Sequence, residues 1–198
     1  MGATEMAGGR FDGQVVVTWI EHRGADRNMQ LREHFAFIDD AGTRWDVPSG
    51  AVIDGASIPQ TFWTLFGPLF VGDYRRASVV HDYYCDVRTR PSRDVHRMFY
   101  AACRAGGVSL IRAKSMYAAV AVFGPNWTLD EAVVSAHGLE TFQSGRALEL
   151  DTGMAMDDFM ELKNDIEDTD PSLAEIDARI ARKLQVTPAI PLDTVPAM

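Results

Sequence analysis

The chain has 198 residues, 46% of them hydrophobic and 24% charged, with a formal net charge of −9. It reads as a soluble, globular chain with one core and room for an appendage. No apolar run reaches the eighteen or so residues of a spanning helix, and Met1 to Arg10 lack the basic-then-apolar order of a signal peptide, so a cytoplasmic address is expected. Two cysteines, Cys85 and Cys103, are too few for a disulfide scaffold or a four-thiolate zinc site and read as reduced core thiols. Charge divides along the chain: residues 1–124 carry 14 Lys and Arg against 13 Asp and Glu, and residues 125–198 carry 5 against 15. The basic residues of 74–124 therefore have a ready partner in the chain's own acidic end. They form no compact stripe with interleaved aromatics, and no nucleic-acid partner is expected.

In chain order, residues 1–9 read as a flexible N-terminus. Gln14 to Ile53 is rich in β-branched and aromatic residues, with Asp-Ala-Gly at 40–42 as a turn, and predicts a small antiparallel sheet. From Pro59 to Phe123 the period lengthens, and helices are predicted over 73–87, 92–105 and 108–123. Ser92 is the expected N-cap of the second; Gly106-Gly107 and Gly124-Pro125 are stops. Residues 130–143 suggest a further helix, "DPSLAEIDARIARKLQ" a capped amphipathic one, and "VTPAIPLDTVPAM" an extended tail. The expected organisation is a core domain at 10–124, an acidic helical extension at 125–185 and a Pro-rich tail at 186–198.

"RRASVVHDYYCD" places His81 and Asp82 inside an apolar, aromatic run. If helices 74–87 and 92–105 form an antiparallel hairpin, positions whose numbers sum to about 177 face each other, and His81 meets His96 across a buried seam. Cys85 lies one turn from His81, and Asp82 points towards whatever loop covers the hairpin. The loop "VPSGAVIDGASIPQTFWTLFGP" fits that place. The Asp54 carboxylate, the Gly55 carbonyl and the Asp82 carboxylate are hard oxygen donors of the kind Ca2+ takes; equally, Asp54 caps the turn and Ser57 a short helix.

From Phe35 to Gly124 the chain resembles an uncharacterised bacterial and phage family, domain of unknown function thirteen fifty-three, through "DGASIP" (54–59), "HDYY" (81–84) and "SRDVHRMF" (92–99). That resemblance implies an association with phage and prophage genomes and brings no activity. A more distant similarity is to prokaryotic phospholipase A2 enzymes, which share the order of a loop Asp, a Gly and Pro segment, "HD" with aromatics on a helix, and an aromatic helix ending in Phe-Gly. It implies a metal-assisted hydrolase of lipid esters acting at a membrane surface. His81 would be the general base, and Asp54, Gly55 and Asp82 would hold Ca2+. His96 stands where those enzymes place an orienting Asp, and an imidazole supplies no fixed negative charge.

Two alternatives stand beside it, the first from the residues and the second from the phage association that the first resemblance implies. His81 and His96 with Asp54 or Asp82 would make a two-histidine, one-carboxylate centre for Zn2+. A catalytically silent phage tail, assembly or host-interaction protein, virion-associated and partnered with other phage structural proteins, would use "HDYY" as a polar knot. Ser57 is a poor nucleophile candidate, since "GASIP" lacks the second glycine of a nucleophile elbow. Phe62 to Phe70 reads as an apolar lip or a buried plug. The expected fold class is α+β: a small N-terminal antiparallel β-sheet on a phospholipase A2-like helix hairpin, a third helix and the acidic extension.

Overall fold

The computed structural model describes residues 9–20, 28–54, 65–67, 72–129, 148–149 and 153–185. The fold is α+β, with small antiparallel sheets packed against a region of five helices among these residues. Strands β1 (Arg10–Asp12), β4 (Phe35–Ile38) and β5 (Arg44–Val47) form one sheet in the order β1-β4-β5. Strands β2 (Val17–Trp19), β3 (Met29–Leu31) and β6 (Val52–Ile53) form another in the order β2-β3-β6. The expected single sheet is thus two, and a third pairing joins β7 (Trp127–Thr128) to β8 (Leu148–Glu149).

The β4–β5 hairpin closes on residues 39–42, as the Asp-Ala-Gly signal predicted. Gly42 takes φ +81°, which an L side chain rarely adopts, and the Asp39 carboxylate accepts from the Thr43 amide at 2.8 Å. Phe35, Ala36 and Phe37 on β4 are all fully buried, because β4 is the central strand of its sheet and is covered on both sides. The Phe11 ring stacks on Phe35 at 5.7 Å, and the Arg76 guanidinium lies over the Phe11 ring at 4.2 Å. Trp45 meets Tyr84 edge-on at 5.0 Å, so this sheet packs directly on the first helix.

Helices α1 (Arg75–Val87) and α2 (Ser92–Gly106) form the antiparallel hairpin, followed by α3 (Leu110–Phe123), α4 (Met156–Thr169) and α5 (Leu173–Gln185). Gly107, at φ +101°, ends α2 as expected. Ser92 does not cap it: Pro91 holds that position, and the Ser92 hydroxyl donates to the Trp127 carbonyl at 2.9 Å and accepts from its amide at 3.1 Å. The hydroxyl pins the strand after α3 to the start of α2, a partner 35 residues away that local capping rules cannot see.

α3 is apolar nearly all round and is correspondingly central, with Met116, Tyr117, Ala118, Ala119 and Val120 buried among α2, α4 and α5. Phe159, Leu162 and Ile166 of α4 and Ile176 of α5 join the same core, so both helices of the C-terminal extension are built into it. Charge follows packing. Asp177 on α5 accepts from Tyr117 and from Arg97 at 2.7 Å and Arg93 at 3.0 Å, and the Lys114 ammonium, on a side chain 9% exposed, donates to Asp170. The basic helical layer therefore meets the chain's own acidic end. Ser172 and Glu175 form a capping box at the start of α5, their amides and carboxylate exchanging bonds of 2.7–3.3 Å. The helix suggested at 130–143 and the tail at 186–198 lie outside the described residues.

Candidate functional site

The α1–α2 hairpin brings His81 and His96 together as its register predicts. Nε2 of His81 lies 3.0 Å from Nδ1 of His96, and both side chains are buried, at 0% and 1% exposure. Phe99 packs on His81 at 4.8 Å and Trp127 on His96 at 6.3 Å, so the pair sits in an aromatic sleeve. Burial, and then the neighbouring His96, hold His81 well below the ordinary imidazole value. Burial also pulls His96 down to about 4, against an opposing pull from the Pro125 carbonyl and the Asn126 side chain. Both rings are therefore neutral at pH 7, and their contact is one N–H shared with one lone pair.

The surroundings select the tautomers. Nε2 of His96 has no hydrogen-bond partner of good geometry among the described residues, and since Nδ1 faces His81, the opposing pull of Pro125 and Asn126 favours a proton on Nε2. Asn126 donates its amide to the Ala121 and Gly124 carbonyls at 3.0 Å each, which leaves its oxygen as the end that can accept. With the proton on Nε2, His96 presents Nδ1 as an acceptor, so His81 donates from Nε2 and keeps its lone pair on Nδ1. Cys85 packs against the same ring. Its sulfur stands 3.7 Å from Nδ1 and 3.6 Å from Nε2 of His81. Near-equal distances put the sulfur close to the ring's mirror plane, in contact with the imidazole but off the axis of either lone pair.

Asp82, one residue along α1, is 3% exposed and turns away from the seam towards the sheet. Its Oδ2 accepts from the backbone amide of Asp54 at 3.0 Å, tying the end of β6 to the helix. Beside this bond opens a cleft of about 390 Å³ lined by Val52, Asp54, Asp82, Cys85, Asp86, Arg88 and Pro125. Asp86 lies one helical turn beyond Asp82 and is exposed. Arg88, in the left-handed conformation at φ 50°, ends α1, donates to the Cys85 carbonyl at 3.2 Å and lies 5.5 Å from the Trp127 ring. The cleft is thus acidic on the helix side, with one guanidinium at its rim and the histidine pair behind its wall.

Of the residues singled out from sequence, Asp54 and Asp82 line the cleft, His81 and His96 lie behind it, and Gly55 and Ser57 fall outside the described residues. Of the lip at Phe62 to Phe70, residues 65–67 are described, and Phe66 is buried. Sequence reasoning did not single out Asp86, Arg88 or Pro125. The Asp82–Asp86 spacing was readable, whereas the approach of Pro125 depends on where α3 ends.

Asp54, Asp82 and Asp86 supply hard oxygens to one cleft, yet among the described residues no three His, Cys, Asp or Glu side chains converge to hold one ion. One oxygen of Asp82 is engaged by the Asp54 amide. For Zn2+, the facing nitrogens of His81 and His96 share a proton that the metal would have to displace. The described side chains alone complete neither site.

Residues 29–120 match the family described as Protein of unknown function (DUF1353). That stretch belongs to the DUF1353 family. It contains the hairpin, both histidines and every lining residue of the cleft except Pro125, and it ends before α4 and α5. Two relatives come from Sinorhizobium fredii (strain NBRC 101917 / NGR234). "Uncharacterized protein y4jT" is 51% identical over 106 residues, covering 54% of this chain and 32% of that protein. "Uncharacterized protein y4iH" is 37% identical over 97 residues, covering 49% of this chain and 41% of that protein. The matches therefore span less than half the length of either relative. No solved structure matches the chain. Among the described residues, no helix is long and apolar enough to cross a membrane.

Proposed function

We propose that the protein is a hydrolase of lipid esters, working in the manner of a phospholipase A2 with His81 as general base. One observation carries the reading: a buried, neutral imidazole whose Nε2 is held by His96 at 3.0 Å and whose ring packs against Cys85, a residue that walls an acidic cleft. A base needs its lone pair free of solvent competition and its ring fixed by a second group; His96 supplies the fixing. Because His96 is neutral, it orients His81 but adds no negative charge to steady the imidazolium formed during turnover. Negative charge near the site comes from the Asp54, Asp82 and Asp86 carboxylates that line the cleft. Arg88 brings positive charge to the same cleft, where an ester carbonyl becomes an oxyanion. Val52, 45% exposed, gives the rim an apolar edge suited to an acyl chain.

Ca2+ belongs to this reading only as an ion completed by donors beyond the described side chains, and no step above runs through it. The test is fatty-acid release from phosphatidylcholine vesicles, with Ca2+ and with a chelator, by the wild type and by His81→Asn. Release that His81→Asn abolishes supports the reading. A wild type that releases none, with its fold verified, rejects it in favour of the silent phage-associated interaction protein, for which the Asp54–Asp82 bond is the polar knot that ties loop to helix.

A further inference from the structure

The hydrolase reading leaves a gap in the geometry: His81 is 0% exposed and does not itself line the cleft. Two of its neighbours on α1 do, Asp82 and Cys85. Asp82 turns to the Asp54 amide, so the group that stands between the His81 ring and the cleft, and that carries a transferable proton, is the Cys85 thiol. The second cysteine is a contrast within the same fold. Cys103 is fully buried in the core and does not line the cleft, and burial pushes its thiol far above the ordinary value.

We infer that Cys85 is a nucleophile served by His81, and that the site transfers the acyl group of an ester to this thiol before water takes it. The inference rests on the hydrolase reading for the ester and on the Cys85–His81–His96 contacts for the thiol. The chain of contacts is that of an activated nucleophile: thiol, imidazole base, and a second group that orients the base. His81 takes the S–H proton at Nδ1. The sulfur adds to the ester carbonyl, the C–O bond breaks, and the alkoxide leaves with the proton from His81, which forms a thioester on Cys85. Water then adds to the thioester with His81 as base, and the thiol is restored as the acid departs. The sulfur's position off the Nδ1 axis means that the first proton transfer follows a turn of the Cys85 side chain. His81 would thereby act on the cleft without entering it.

The experiment alkylates the intact protein with iodoacetamide and maps the two cysteines by peptide mass. Cys85 is expected to react at least about tenfold faster than Cys103, and about a hundredfold slower in His81→Asn than in the wild type. Since His81→Asn could fail to fold, a second measurement uses the wild type alone: incubation with a p-nitrophenyl acyl ester and mass analysis of the Cys85 peptide. An acyl adduct on Cys85 that hydroxylamine removes, absent from Cys85→Ser, supports the inference. Ester hydrolysis without an adduct and undiminished in Cys85→Ser overturns it and leaves a water-attacking His81 in place. Alkylation of Cys85 no faster than Cys103 overturns it whether or not esters are hydrolysed. Fast, His81-dependent alkylation with no ester turnover upholds the thiol–imidazole pair and rejects the lipid-ester substrate.

Discussion

Acidification from pH 7 to pH 5 is expected to cost the fold about 2 kcal/mol through His96 alone. Folded His96 is held near 4 against an ordinary 6.5, so between those values the unfolded chain binds a proton that the native state refuses. This is the depressed case: the contribution of neutral burial is complete above pH 6.5 and is lost as the pH falls towards 4. One proton over the 1.5 units from 6.5 to 5, at about 1.36 kcal/mol per unit, gives the figure. His81 is depressed by the same burial and adds in the same direction. Urea melts followed by circular dichroism at pH 7 and pH 5 measure the loss. His96→Asn, whose side-chain oxygen can still accept from Nε2 of His81, removes the His96 share and should flatten the dependence. A wild type equally stable at both pH values, or a His96→Asn variant with the wild-type slope, refutes the assignment of two neutral, buried imidazoles.

Three further outcomes follow from the contacts. Asp82→Ala leaves the Asp54 amide without its acceptor and should cost about 1–3 kcal/mol in the same melts, whereas Asp82→Asn, which keeps an oxygen there, should cost less. Asp177→Ala breaks the bonds to Tyr117, Arg97 and Arg93 and should cost about 1–2 kcal/mol, towards the low end because Arg93 is largely exposed and solvent screens the pair. Burial pushes the Asp177 carboxyl up, but the bonds from Tyr117 and the two arginines outweigh it and hold it below 3.8; its contribution therefore persists above that pH and fades below it, an acid-melt series being the check. Phe159→Ala, at a fully buried position of α4, should cost about 3–5 kcal/mol and lower a single shared transition in calorimetry, because α4 lies in the same core as the hairpin.

What the sequence disclosed and what it withheld divide along the range of the forces involved. The meeting of His81 with His96 was legible because helix pitch and a short hairpin loop fix which residues face each other. The Asp39–Gly42 turn and the Ser172–Glu175 capping box are equally local. Ser92 misled for the complementary reason: its composition suits a cap, but a backbone 35 residues away offers two bonds instead of one. The amphipathic pattern of α5 announced a buried face without saying that α3 and a Tyr117–Arg97–Asp177 node would receive it. In the cleft, Asp82 and Asp86 share a helical repeat visible in the sequence, while Arg88 reaches the rim by a left-handed backbone turn and Pro125 arrives from the far end of α3. Two sheets where one was expected reflect strands of two to four residues, too short for alternation to assign their partners.

The most direct test of the account compares ester turnover on phosphatidylcholine vesicles for the wild type, His81→Asn and His96→Asn, each confirmed as folded by circular dichroism. The account predicts release of free fatty acid by the wild type, its loss in His81→Asn by a factor of about a hundred or more, and a smaller loss in His96→Asn, where the base remains but its ring is less firmly held. Equal release by the wild type and a folded His81→Asn would contradict it.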